Sequence, residues 1–262
     1  MLFCTFYQGQ EQSPEIKKFM TLAAEKIKQN LDKQNLDDFT LKNFLPILRC
    51  FSLLNLKGDE VQQLAQKMTK VVRKNANSFT PAELATFAEI LAEVTTNTIG
   101  KTPAMLFTEP TSHFTQTSAK TATEIRSFMK ELASQSKKML SLSPKQLLSL
   151  AFTFVKLGIE GAEVRSFFNA IAPKIQENLS TFSRQELSDI AYTFTHMNCF
   201  GPQFVKSWEE AVQAKSKNKP LPQEIKDFQA LYKRFCQTRS AEPLPLSHNK
   251  SEPQANIRRK TK

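Results

Sequence analysis

A helical repeat of about forty residues constrains the fold of this chain more than any other feature of its sequence. The segment 143–154 aligns with the segment 183–194, and two further copies of the same apolar pattern lie upstream. In each copy, apolar residues recur at i, i+3, i+4, i+7 and i+10, which is one face of an α-helix. They are Phe44, Ile47, Leu48, Phe51 and Leu54; Leu84, Phe87, Ala88, Leu91 and Val94; Leu147, Leu150, Ala151, Phe154 and Leu157; and Leu187, Ile190, Ala191, Phe194 and Met197. We call these segments the first helices of the repeats.

A second amphipathic segment follows each first helix. Its apolar residues again have helical spacing. They are Val61, Leu64, Ala65, Met68 and Val72; Ile125, Phe128, Met129 and Leu132, with Ser136 aligned at the fifth position; Val164, Phe167, Phe168, Ile171 and Ile175; and, in a weaker set, Phe204, Trp208 and Ala211. Because one helix pair cannot bury its own apolar face, neighbouring pairs must stack. The sequence therefore predicts an all-α fold, an α-solenoid of about four stacked helix-pair repeats with capping helices.

Three regions are expected along the chain. Residues 1–37 form an N-terminal segment with an orphan or capping helix. The apolar positions of this helix are Ile16, Phe19, Met20, Ala23 and Ile27. Residues 38–237 form the helical repeat domain, which ends in a capping helix at about 222–237. A Thr-, Ser- and Pro-rich insertion at about 95–123 is predicted to be a surface loop or disordered, and residues 238–262 are predicted to form a disordered basic tail.

The composition argues against several classes of protein. Gly accounts for only 6 of 262 residues, whereas Rossmann, P-loop and β-sandwich folds need Gly at turns and around phosphates. No apolar run is long enough for a membrane span, and the opening residues MLFCTFYQGQ have no clear targeting-peptide features. The four cysteines are far apart in the sequence, so we expect free or buried thiols in a reducing compartment and no disulfide framework.

The charge favours a polyanionic partner, since the chain carries a formal net charge of +11. In contrast, no motif for catalysis or nucleotide binding is present, and the three histidines do not have the spacing of metal ligands. His196 and Cys199 are close enough in sequence to pair, but a buried thiol near a surface imidazole is the stronger interpretation. We therefore expect no enzyme activity, no cofactor and no small-molecule substrate.

The pattern Pro-x-x-Leu-x-x-Leu-Ala-Phe-x-Phe-x-Lys-Leu-Gly at Pro144–Gly158 resembles the octotricopeptide repeat of organellar RNA-binding α-solenoids. It is also similar to the leucine-rich helical region of FAST-kinase-like mitochondrial proteins and to heptatricopeptide repeats. The resemblance covers about residues 40–237. It implies binding of single-stranded or ribosomal RNA in a mitochondrion, or alternatively a plastid, in RNA stability, processing, translation or ribosome assembly. The chain lacks a recognisable RAP-type domain, so the resemblance does not imply RNA cleavage.

The side of the first helices opposite their apolar residues is the candidate RNA-binding surface. Polar side chains there can hydrogen-bond base edges, and exposed aromatic rings can stack on bases. Together with the basic tail, the candidates are Lys42, Asn43 and Arg49; Thr86; Lys145, Gln146, Ser149, Phe152 and Lys156; Gln185, Asp189, Tyr192 and His196; and Arg258, Arg259 and Lys260. An alternative role for Phe152 and Tyr192 is packing between neighbouring repeats. Basic residues of the second helices, such as Lys70 and Arg73, are either further phosphate contacts or a solvated helix face.

Two other functions stay open at this point. One is a structural subunit of an organellar ribosome or another large assembly, in which the same helices hold protein and rRNA. The other is a protein-binding HEAT-like scaffold with an incidental positive charge. Steep salt dependence of binding would separate RNA binding from the scaffold, because neutralising phosphates releases counterions.

Overall fold

The computed structural model describes residues 14–33, 41–53, 59–99 and 116–216, together with Ala230. Within these ranges the chain forms ten α-helices, two 3-10 helices and no β-strand. The α-helices are α1 (Pro14–Lys33), α2 (Leu41–Leu53), α3 (Asp59–Lys74), α4 (Pro81–Ile99), α5 (Gln116–Ser134), α6 (Ser136–Met139), α7 (Pro144–Lys156), α8 (Ala162–Glu177), α9 (Arg184–His196) and α10 (Pro202–Ser216). The 3-10 helices are Ala76–Ser78 and Leu179–Thr181. The all-α prediction is confirmed for the described part of the chain.

All ten α-helices belong to one compact unit that ends at Leu221. None of these helices combines the length and the hydropathy that crossing a lipid bilayer requires. The predicted capping helix at 222–237 and the basic tail at 238–262 lie outside the described residues, except for Ala230, which is helical.

Three of the first helices begin with the same reciprocal pair of hydrogen bonds. At α9, the Ser183 backbone N–H donates to Glu186 Oε2 at 2.6 Å, and the Glu186 backbone N–H donates to Ser183 Oγ at 3.2 Å. Ser143 and Gln146 form the equivalent pair at α7, and Thr80 forms it with the residue three positions later at α4. Each pair satisfies backbone donors that the first helical turn leaves unpaired. The sequence pattern Ser/Thr-x-x-Glu/Gln therefore sets these helix starts.

Helices α7 and α9 also end in the same way. Gly158 and Asn198 occupy equivalent positions after the two helices, and both adopt left-handed backbone, with φ of 61° and 54°. The residue after each donates its backbone N–H to a carbonyl in the last turn, Ile159 to Phe154 at 3.0 Å and Cys199 to Phe194 at 3.1 Å. Gly adopts this conformation without steric cost, and Asn is one of the few other residues that tolerates it.

The first helices contact one another in chain order. Helix α4 packs against α2 and α7, and α7 packs against α9. The second helices pack in the same order, with α3 against α1 and α5, and α8 against α5 and α10. Contacts of α4 with α3 and α5, of α7 with α8, and of α9 with α10 join the two sets. The core lies between them.

The predicted apolar positions form this core. Every predicted position of the first-helix segments in the last three repeats is buried, including the small residues Ala88, Ala151 and Ala191. A row of phenylalanine rings runs through the core, with Phe168 on α8 making an edge contact with Phe194 on α9 at 5.4 Å between ring centroids. Packing of this kind is the main source of stability in an all-α unit.

Helix α1 leaves part of its predicted apolar face exposed. Phe19 was predicted to be on the apolar face, yet it is 69% exposed, and Leu22 is 55% exposed. Among the described side chains of α1, only Ala24 is buried, and the helix packs against α3. A helix packed against few neighbours buries a narrow stripe, so hydrophobic periodicity alone does not determine which residues are covered.

The insertion predicted at about 95–123 is shorter than the sequence suggested. Helix α4 continues to Ile99 and α5 begins at Gln116, and residues 100–115 lie outside the described residues. Thr95 and Thr121 are buried because their hydroxyls donate to backbone carbonyls, Thr95 to Leu91 at 2.6 Å and Thr121 to Gln62 at 3.3 Å. Threonine-rich composition therefore led to a loop prediction where the helices continue.

The cysteines differ from expectation at one position. Cys50 on α2 is disulfide-bonded, whereas Cys199 is a free, buried thiol. The expectation of free thiols is therefore wrong for Cys50. Spacing in sequence does not reveal such a bond, because folding brings distant cysteines within reach of each other.

Candidate nucleic-acid interface

The candidate face is the side of α2, α4, α7 and α9 that lies away from the core. Arg49, Glu89, Phe152 and Tyr192 occupy equivalent positions on these four helices. Glu89 on α4 interacts with Arg49 on α2 and accepts a hydrogen bond from Ser149 on α7. The face is therefore continuous across three helices, as stacking of the first helices predicts.

The centre of the candidate face is acidic. Burial raises the pKa of the Glu89 carboxyl, and the nearby Glu93 carboxylate raises it further, whereas the Ser149 hydrogen bond and the Arg49 charge lower it. Glu93 also accepts a hydrogen bond from Ser52 on α2 at 2.8 Å. Because these carboxylates repel phosphates, an RNA strand would find its favourable contacts on either side of α4.

A salt bridge joins α7 to α9 at the start of both helices. Lys145 Nζ lies 2.9 Å from Glu186 Oε1. Burial acts to raise the pKa of the Glu186 carboxyl, but hydrogen bonds from Ser183 and Lys145, together with the Lys145 charge, outweigh it and lower the pKa. Both side chains are partly exposed, so the solvent-screened pair contributes little to stability.

The predicted glutamine base readers are engaged within the protein. Gln146 Oε1 accepts hydrogen bonds from the Ser143 backbone N–H at 3.0 Å and from its hydroxyl at 2.9 Å. Gln185 Nε2 donates to Asp189 Oδ1 at 3.1 Å along α9. Sequence reasoning missed the role of Gln146, although the Ser-x-x-Gln capping pattern is visible in the sequence.

The aromatic row consists of Phe152, Tyr192 and His196. Phe152 on α7 and Tyr192 on α9 occupy equivalent positions, and their ring centroids lie 6.2 Å apart with the planes inclined at 54°. Tyr192 also stacks on His196, with centroids 6.1 Å apart and planes at 25°. Phe152 is 36% exposed and Tyr192 is 56% exposed, and His196 is also exposed. The rings therefore contact each other between neighbouring helices, as the packing role predicts, and both remain partly exposed. The base-stacking role stays a prediction.

The remaining predicted residues differ in exposure and in how far the structure describes them. Arg49 is exposed, and Thr86 and Lys156 are half-buried. Lys42 and Asn43 lie on α2, but their side chains are outside the described residues. The tail residues Arg258, Arg259 and Lys260 are also outside them.

Two basic side chains of the second helix α3 lie close to carboxylates of α5. Arg73 on α3 lies 3.0 Å from Glu124 and 3.3 Å from Glu131, both on α5. Lys70 lies 3.7 Å from the same Glu124. Arg73 therefore joins α3 to α5 and is a poor candidate for phosphate contact.

An open cavity of about 340 Å³ lies between α8 and the start of α10. Its polar lining includes Asn169, Gln176, Asn198 and Gln203. Cys199 also borders it, but the thiol is buried, and burial raises its pKa. Its Sγ donates to the Met197 carbonyl at 3.2 Å. A buried thiol with a raised pKa is a poor nucleophile.

Within the described ranges, no three His, Cys, Asp or Glu side chains are grouped closely enough to hold a metal ion. No protein-family model matches the chain, and no curated protein has a significantly similar sequence.

Proposed function

We propose that this chain is a non-catalytic RNA-binding protein whose helix pairs stack as an α-solenoid of about four repeats. The observation that carries the proposal is the exposed aromatic row on the candidate face, within a chain of net charge +11. Exposed aromatic rings beside basic side chains are the usual means of holding single-stranded nucleic acid without catalysis.

The serial contacts of the first helices support the solenoid interpretation. They run from α2 through α4 and α7 to α9, while the second helices run in parallel order on the other side of the core. In a solenoid, equivalent side chains of successive repeats form one continuous surface. Phe152 and Tyr192, and likewise Lys156 and His196, are such equivalent pairs.

The proposed setting is a mitochondrion or, alternatively, a plastid, in RNA stability, processing, translation or ribosome assembly. It rests on the resemblance of Pro144–Gly158 to the octotricopeptide repeat. The expected partners are single-stranded or ribosomal RNA and other proteins of an organellar ribonucleoprotein complex.

Fluorescence anisotropy with labelled single-stranded RNA tests the proposal. The logarithm of the association constant should fall linearly with the logarithm of salt concentration, by about 0.7 for each phosphate neutralised. Lys156→Gln should reduce this slope by about one phosphate contact. Lys26→Gln on α1 removes an exposed charge away from the candidate face and should leave the slope unchanged. Absence of RNA binding, or binding insensitive to salt, would refute the proposal.

A second candidate function is that of a structural subunit in an organellar ribosome or of a protein-binding scaffold. The specific observation in its favour is the exposed apolar pair Phe19 and Leu22 on α1, since exposed apolar residues on one helix face favour a protein partner. This function would be favoured if tagged protein sediments with ribosomal particles and the Phe19→Asp variant does not. Sedimentation outside those particles would count against the ribosomal version.

A further inference from the structure

A ligand can contact the aromatic row without breaking a hydrogen bond within the protein. In this respect the row differs from the hydrogen-bonded polar side chains of the candidate face. Tyr192 is 56% exposed, and its contacts with Phe152 and His196 are ring contacts. A base that stacks on these rings would add to their contacts and displace only water. The site is therefore preorganised for stacking.

The polar side chains around the row are in the opposite situation. Lys145 is bound to Glu186, Gln185 to Asp189, and Gln146 to the start of its own helix. To hydrogen-bond the edge of a base, these groups would first have to break one or more of these hydrogen bonds. Exchanging an internal hydrogen bond for one to the base contributes little net binding free energy. Recognition through the base edge is thus disfavoured beside the aromatic row.

We propose that Phe152, Tyr192 and His196 form a stacking site for one unpaired base, and that this site accepts all four bases. The inference rests on the proposed RNA binding and deepens it, because it states that the face of the base is recognised and its hydrogen-bonding edge is not. Every base has a π-face, so stacking is tolerant of sequence. A base inside a duplex has both faces covered by its neighbours, so the site excludes paired RNA.

A neighbouring cation completes the site. Lys156 lies one helical turn after Phe152 on α7, at the position equivalent to His196 on α9. A strand with one base on the row has its adjacent phosphate within reach of this part of the face, where Lys156 supplies positive charge. The site therefore combines a stacked base with one phosphate contact, the arrangement typical of proteins that bind single strands without sequence preference.

The test measures the affinity of purified variants for short RNAs. One RNA is a single strand, and further versions carry each of the four bases in turn at one chosen position. Another version lacks the base at that position, and the last RNA is the duplex of the same sequence. Tyr192→Ala should weaken binding to the single strand by about 5- to 150-fold, and Tyr192→Phe should keep it within about twofold because the ring remains. Phe19→Ala, which removes an exposed ring on α1, should also keep it. Changing one base should alter affinity by less than about threefold, and the duplex should bind more weakly.

Three results would overturn the inference, and they are distinguishable from one another. If wild type binds RNA with steep salt dependence and Tyr192→Ala binds equally well, the stacking site is wrong while RNA binding stands. If changing one base of the RNA weakens its binding to wild type and to Tyr192→Ala alike by more than about tenfold, the protein recognises the hydrogen-bonding edge of the base. If wild type binds no RNA, the proposed function fails and the stacking site fails with it. Thermal unfolding by circular dichroism verifies that each variant is folded.

Discussion

Replacement of Phe168 by alanine should destabilise the protein by several kcal/mol. Phe168 is fully buried on α8. Its ring makes edge contacts with Phe167 at 5.8 Å and with Phe194 on α9 at 5.4 Å, so it joins two helices of neighbouring pairs. Removing a buried phenylalanine ring loses its transfer free energy and leaves a cavity, which together amount to about 3–5 kcal/mol.

The size of the unit converts this loss into a measurable temperature shift. For a unit of about 200 residues, each kcal/mol lowers the midpoint of thermal unfolding by about 2–4 °C. Phe168→Ala should therefore lower it by roughly 6–20 °C, a large change against a total stability of about 5–15 kcal/mol. The free energy of unfolding is measured by urea titration followed by circular dichroism.

Phe19→Ala is the matched control, because it makes the same chemical change at a ring that is 69% exposed. Its effect on the free energy of unfolding should stay below about 1 kcal/mol. The reasoning would be refuted if Phe168→Ala lost less than about 1.5 kcal/mol, or if the two variants lost equal amounts. The first result would mean that neighbouring helices collapse into the space, and the second that burial at Phe168 is not what stabilises this region.

Three further predictions concern the ends of the helices and the acidic centre of the candidate face. Gly158→Ala should destabilise the protein by about 1–2 kcal/mol in urea unfolding, because alanine is strained at a φ of 61°; an unchanged midpoint would contradict this. Ser183→Ala should remove a capping hydrogen bond from α9 and lower stability by about 1 kcal/mol, and equal stability would show that water replaces the cap. Glu89→Gln should change the pH dependence of unfolding. Since the folded pKa of Glu89 lies above its ordinary 4.5, this carboxyl binds protons more tightly in the native state, and its contribution to stability is lost as pH rises through that folded pKa. Glu89→Gln should lack this loss of stability. The difference in the free energy of unfolding between the variant and wild type should therefore shift in favour of the variant from pH 4.5 towards neutrality. A difference that stays constant with pH would contradict the raised pKa of Glu89.

Much of the fold could be predicted because the repeat carries several signals that agree. The apolar columns identified which faces of α3, α4, α7, α8 and α9 are buried, and Ser or Thr before α4, α7 and α9 located the starts of these helices. The failures have physical causes. Thr95 and Thr121 were predicted to lie in a loop because the segment around them is rich in Thr, Ser and Pro. A helix can nevertheless bury threonine when the hydroxyl donates a hydrogen bond to a backbone carbonyl. The disulfide of Cys50 depends on contacts that spacing does not contain.

The position of the candidate site could be predicted from the sequence. Which side chains of the site hydrogen-bond or form salt bridges with one another could not. Equivalent positions of a repeat must fall on one surface, so the sequence placed Phe152 beside Tyr192. Which polar groups bind each other depends on side chains in different repeats, as in the contact of Lys145 with Glu186, 41 residues apart. Such pairs require the relative rotation and spacing of two helices, which no local pattern specifies.

The sequence by itself determined the helical class, the register of the repeat and the apolar faces, because these follow from periodicity and capping within single helices. Only the tertiary structure decided how much of each surface ring remains exposed, which carboxylate carries a raised pKa and which candidate readers are already engaged. Those properties arise from the distances between helices. For Tyr192, the sequence located an aromatic residue on the outer face, and the packing of α7 against α9 left it both supported by Phe152 and more than half exposed.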